Sequence, residues 1–165
     1  VDINSLPNGA RVLVDANIFI YYLGGASPDC KAFLRRVALG EIAAHITTVI
    51  LAETLHRRMV AEAIAKGLIS PGQPVKKLKA NPAVILSLTD YITEIEKLLQ
   101  LPFIITEATT ADIAASHALR RAHGLFVNDS INLACAGRLG ISDIVTHDSD
   151  LARVPAIRIW QPTDV

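Results

Sequence analysis

Short apolar runs that end in a polar residue alternate along this chain with longer stretches in which apolar positions recur every three or four residues. Five of the short runs read as strands: Arg11–Asp15, Ala44–Thr47, Pro102–Thr106, Asp143–Thr146 and Ala156–Trp160. They are aliphatic or β-branched, and a proline is tolerated at the start of the third. Helical periodicity fills the intervals over Ala16–Leu23, Asp29–Leu39, Thr48–Lys66, Ile85–Leu99, Thr110–His123 and Asp129–Leu139. Leu51, Leu55 and Met59 share one face of the third helical stretch, and Leu88, Ile92, Ile95 and Leu99 one face of the fourth. Strands alternating with helices predict an α/β fold, with a central parallel sheet of about five strands covered on both faces. The segment Gly67–Pro82, with its prolines and the run Lys76-Lys77-Leu78-Lys79, reads as a surface loop or mobile arm. No repeat or linker divides the chain, so one domain is expected over 1–165, with a longer middle segment at about 57–101.

Composition narrows the picture. Hydrophobic residues make up 51% and charged residues 19%, which excludes disorder as the main state. Only 5% are aromatic, so the core should be aliphatic. Formal net charge is zero, so there is no global basic footprint of the kind a nucleic-acid binder carries. A bound divalent ion can supply positive charge locally instead. Cys30 and Cys135 have no zinc or redox spacing and read as buried free thiols, which points to a reducing, cytoplasmic setting. No stretch reads as a signal peptide or as long enough to span a membrane, although the chain opens on Val1 and not Met.

The chemistry lies in four acids. Asp15 closes the first strand, where ligands bind in open α/β sheets. Glu53, Asp129 and Asp148 stand at comparable junctions. Each has an ordinary reading by itself. Asp15 could cap the next helix, Thr48 the helix that carries Glu53 in its second turn, and Asn128 or Asp129 the last; Glu53 could be a solvated helix charge, and Asp148 with Asp150 a turn. Together they fall along one edge of the predicted sheet. Clustered carboxylates repel and raise one another's pKa values, a penalty that a hard divalent cation removes. An all-oxygen set favours Mg²⁺ or Mn²⁺ over zinc, and such a pocket suits an enzyme acting on phosphate esters.

Other chemistries find no support. His45, His56, His117, His123 and His147 show no zinc spacing and read mostly as surface or helix-face residues; only His147, between Thr146 and Asp148, is placed for a substrate contact. There is no nucleophile elbow and no phosphate-binding glycine loop.

Val14-Asp15-Ala16-Asn17, Thr48 with Ala52-Glu53, Asp129 through Ala136, and Val145 through Leu151 resemble the four blocks of PIN-domain ribonucleases. The nearest likeness is to VapC-type toxins of toxin–antitoxin modules, over roughly Arg11–Arg57 and Thr110–Gln161. The resemblance implies a three-layer α/β/α fold and Mg²⁺- or Mn²⁺-dependent cleavage of single-stranded or structured RNA. It also implies a homodimer and a small antitoxin that blocks the site. Asp15, Glu53, Asp129 and Asp148 take the acidic, metal-holding positions; Asn17 and Thr146 take the polar positions that support them. Two departures stand out: the interval from Glu53 to Asp129 is longer than in compact toxins, and Leu151 replaces a frequent aromatic residue. Arg57, Arg58, Lys76, Lys77, Lys79, Arg120 and Arg121 are the basic residues available to RNA.

Two rival readings remain at this level. Asp15 could be the nucleophile of a haloacid-dehalogenase-like phosphatase, but Asn17 stands where a second acid is wanted and no lysine lies beside Asp148. The chain could also be a PIN-like module for RNA binding or assembly without catalysis, although all four acids are present.

Overall fold

Val12, Leu13 and Val14 are buried in a computed structural model that describes residues 1–165. A strand with no exposed face must be covered on both sides, which is the environment of a central strand in a parallel sheet. This strand, β1 (Arg11–Val14), is joined by β2 (Ala43–Thr47), β3 (Ile104–Thr106), β4 (Asp143–Val145) and β5 (Arg158–Trp160). All four pairings are parallel, in the order β3-β2-β1-β4-β5. Eight helices accompany them: α1 (Ala16–Leu23), α2 (Pro28–Ala38), α3 (Thr48–Ala65), α4 (Pro74–Ala80), α5 (Pro82–Ser87), α6 (Asp90–Leu98), α7 (Thr110–His123) and α8 (Val127–Arg138). The result is a three-layer α/β/α fold. No helix is long and apolar enough to cross a membrane.

The order of the sheet matters for function. Chain connections leave β1 toward β2 on one side and return to β4 on the other, so the winding reverses between β1 and β4. A crevice opens beyond the carboxyl ends of strands at such a point. Asp15 follows β1 directly and its amide bonds the Val145 carbonyl at 2.9 Å, which draws the ends of the two strands together.

The main core gathers Val12, Val14, Ile18, Phe19, Phe33, Ile46, Ile50, Ile144 and Trp160 with other aliphatic residues. Phe19 meets Phe103 edge-to-face at 5.5 Å between ring centroids. A second, smaller cluster of Ala63, Leu78 and Leu88, with Met59, Val84 and Tyr91, occupies the middle segment. Both cysteines are buried and free.

Several element boundaries differ from expectation, each for a local reason. Thr47, not Thr48, caps α3, its hydroxyl accepting from the Ile50 amide at 3.0 Å. Neither Asn128 nor Asp129 caps α8; the helix begins earlier, behind Phe126, and both residues lie in its first turn. Gly67–Pro82 is not wholly a loop, because Pro74 initiates α4 and Leu78 is buried against the small cluster. The single helix expected over Ile85–Leu99 is broken at Leu88–Thr89, with Glu62 of α3 accepting from the Thr89 and Tyr91 amides at 3.1 and 2.8 Å. β3 starts only at Ile104, since the Phe103 amide turns back to the Leu101 carbonyl. His45 is neither on the surface nor on a helix: it sits in β2, 5% exposed, and neither ring nitrogen has a partner.

Candidate active site

Local geometry fixes Asp15 first. As N-cap of α1 it accepts from the Ala16 amide through Oδ1 at 2.7 Å. Its Oδ2 accepts from Asn17 Nδ2 at 2.8 Å and from Thr146 Oγ1 at 2.7 Å. Asn17 also reaches Thr146 Oγ1 at 2.9 Å and accepts the His147 amide at 3.2 Å. The capping role and a place in the acid cluster are therefore compatible: one oxygen starts the helix and the other faces the end of β4.

Asp148 lies just beyond β4. Its amide donates to Thr146 Oγ1 at 3.0 Å, and its Oδ1 accepts from the Asp150 amide at 2.8 Å. Asp150 itself is drawn off by Arg153 at 2.6 Å. Glu53, in the second turn of α3, is held by Asn128 Nδ2 at 3.1 Å on one oxygen and by Arg57 at 3.6 Å on the other. Asp129 sits in the first turn of α8, where a carboxylate also gains from the helix dipole.

Asp15 and Asp129 border one small cavity of about 10 Å³, room for a single water-sized atom, together with Asn132, Leu13, Ile50, Leu133, Ile144 and Leu151. Burial pushes the Asp129 carboxyl up to about 6, helped by the negative charges of Asp15, Asp148, Glu53 and Asp150. Burial also raises Asp15; its bonds from Thr146 and Ala16 work against this, and the charges of Glu53 and Asp148 add to it. The charges of Glu53 and Asp148 are thus close enough to act on both Asp15 and Asp129, whose own negative charge is left under-compensated.

As placed, no three His, Cys, Asp or Glu side chains converge closely enough to enclose an ion. The reason lies in the bonds just described: Glu53 is tied toward Asn128 and Arg57, and Asp148 toward its own turn. The donors still fit a hard divalent cation in kind and in charge. They are carboxylate and amide oxygens, they carry excess negative potential, and two of them share a cavity of single-atom size.

The basic residues divide. Arg57 stands beside Glu53. Lys76, Lys77 and Lys79 lie on α4, whose Leu78 packs with Ala63 toward the far end of α3, and Lys77 bonds Ser70. From Glu53 to Ala63 the helix climbs about 15 Å, so these lysines belong to a different region of the surface. Arg58 pairs with Glu94, and Arg120 bonds Ser116 and Ser130.

Sequence reading overlooked Asn132 and Thr47. Asn132 follows Asp129 by three residues on α8, which puts both on the same face. That spacing was the available signal. Thr47 Oγ1 donates to Asn132 Oδ1 at 2.6 Å and so ties the end of β2 to this face.

The PIN domain family model matches residues 12–157, and the chain belongs to that family. No curated protein matches it in sequence. Among solved structures it is similar to VapBC2 from Rickettsia felis, bound to a DNA fragment from their promoter, with a TM-score of 0.61 and 13% identity over 92% of this chain and 98% of the other. It is similar to a toxin–antitoxin complex from Klebsiella pneumoniae, with a TM-score of 0.55 and 21% identity over 89% and 95%. It also resembles VapC20 from Mycobacterium tuberculosis, a Sarcin-Ricin loop cleaving toxin, with a TM-score of 0.57 and 11% identity over 87% and 95%. At such identities these likenesses speak to the fold.

Proposed function

We propose that this chain is a Mg²⁺- or Mn²⁺-dependent endoribonuclease that cuts single-stranded or structured RNA, acting as the toxin of a toxin–antitoxin pair. The observation that carries the reading is the shared cavity of Asp15 and Asp129, with Glu53 and Asp148 near enough to raise both carboxyls. Asp15, Asp129, Glu53 and Asp148 would hold the cation, directly or through water. When bound, it would neutralise phosphoryl charge and acidify an attacking water. The protein's part is orientation: Thr146 and Asn17 fix Asp15, Asn132 stands beside Asp129, and Asn128 with Arg57 steadies Glu53. PIN domain membership and the likeness to solved toxin structures support the same reading. A cytoplasmic setting, a homodimer and a small antitoxin partner belong to it.

The test is cleavage of labelled single-stranded RNA with Mn²⁺ or Mg²⁺, with and without chelator. Chelator should abolish cutting, and Asp15→Asn or Asp129→Asn should reduce it at least about a hundredfold while circular dichroism stays unchanged. Cutting that survives in chelator or in Asp15→Asn refutes the mechanism. RNA binding without cutting under every metal would favour the non-catalytic module. The toxin role predicts growth arrest on expression, relieved by a co-expressed neighbouring reading frame.

A further inference from the structure

Between the first turns of α3 and the start of α8 lies a hollow of about 430 Å³, lined by Thr48, Val49, Ala52, Glu53, His56 and Asn128. It shares Glu53 with the acid cluster, so whatever fills it is adjacent to whatever the acids act on. His56 is exposed and one turn beyond Glu53, which places the two on the same helix face. Asn128 stands across from them, its amide donating to Glu53. Val49 and Ala52 supply an apolar portion of the lining. The guanidinium of Arg57, 3.6 Å from Glu53 with its side chain 45% exposed, brings positive charge to the same neighbourhood.

At the start of α8 stands Phe126, 76% exposed, followed by Val127, 56% exposed. Phe126 is two residues from Asn128, a span of about 7 Å at most. A phenyl ring left in water two residues from the hollow's Asn128 contributes little to folding. It is suited instead to a flat, apolar face arriving from outside.

We propose that this hollow seats the nucleotide next to the scissile phosphate of a single-stranded RNA. His56 and Asn128 meet the edge of its base, and Phe126 provides the platform on which a neighbouring base stacks. The assignment rests on the nuclease reading above. A base has the required combination of a planar apolar face and a hydrogen-bonding edge, and stacking on an aromatic side chain tolerates every base. Continuity through Glu53 sets the occupant beside the acids, and the neighbouring Arg57 charge with the hydrogen-bonding groups of His56 and Asn128 suits a nucleotide.

The test uses a fluorescein-labelled single-stranded RNA of about ten nucleotides, bound by the full chain in the Asp15→Asn background and followed by anisotropy in Mn²⁺. Phe126→Ala should weaken binding about 5- to 150-fold, the range that loss of one stacked base gives. Phe126→Trp should restore it, and His56→Ala should weaken it about tenfold. Scanning a single abasic nucleotide along the RNA should reveal a position at which the Phe126→Ala and parent affinities converge, a coupling that a merely structural role would not produce. Parent-like affinity in both alanine variants overturns the subsite while leaving metal-dependent cutting, measured separately, in place. Loss of self-association or antitoxin binding with RNA affinity intact overturns it in favour of a protein interface. If the parent protein neither cuts nor binds RNA, the nuclease reading falls and the subsite with it.

Discussion

Asp129 carries a partly buried charge among the other acids of the cleft, and its environment makes a signed prediction. Its folded-state carboxyl is raised to about 6 from the ordinary value. The stability it contributes is therefore present below the unfolded pKa of about 3.9 and is lost as pH rises through 6. Without metal, Asp129→Asn should melt higher than the parent at pH 7.5, and the two should converge near pH 4. A parent that is equally stable at both pH values relative to the variant would contradict this. Thr146 acts one step away, through its hydroxyl on Asp15. Thr146→Val should lower Mn²⁺ affinity about 10- to 100-fold by calorimetry, the usual cost of losing such a supporting bond. His45 makes the opposite pH statement. Burial lowers its pKa, and Arg11 adds to the effect. Its contribution is present above the unfolded value of about 6.5 and lost as pH falls below it. His45→Leu removes two unpartnered buried nitrogens, so it should gain about 1 kcal/mol at neutral pH and more at pH 5, in urea melts.

Among the elements, α6 depends most on a neighbour. Its N-cap, Thr89, makes no side-chain bond, and Glu62 from α3 serves instead. Burial alone would raise Glu62, but Lys66 and the amides of Tyr91, Asp90 and Thr89 outweigh it and hold the carboxyl at about 2. That stability is present above the ordinary glutamate range and lost as pH falls toward 2. Glu62→Ala leaves the start of α6 without a partner and should cost about 3 kcal/mol. Hydrogen exchange should then speed up first in α6 and in the small cluster around Ala63, Leu78 and Leu88. Unchanged protection there would show that the helix end is held by packing alone. Capping at α7 is local by contrast: Thr109 and Asp112 form a reciprocal box, and Gly124 closes the helix with φ 65°.

For the whole molecule, the sheet order brings acids from distant segments to one rim, and the fold carries their mutual repulsion when no cation is bound. A cation that binds only the folded state must then stabilise it by mass action. At a hundredfold excess over Kd, Mn²⁺ should add about 2.7 kcal/mol, a rise of about 5–10 °C in Tm for a chain of this size. Asp129→Asn should abolish most of that rise. An equal rise in the variant would move the metal elsewhere.

The alternation of strand and helix was legible because periodicity is a property of short windows, and so was the placing of Asp15, Glu53, Asp129 and Asp148 at strand ends and helix starts. The ends of individual elements were less so: whether Thr47 or Thr48 caps α3, and where Ile85–Leu99 breaks, depends on which hydrogen-bonding groups arrive from elsewhere. Tertiary structure alone decided that Thr146 bonds Asp15 across 131 residues of chain, that Asn132 shares a cavity with Asp129, and that the lysines of α4 lie away from the acids. Those facts follow from strand order and helix packing, which no local pattern of apolar and polar residues can specify.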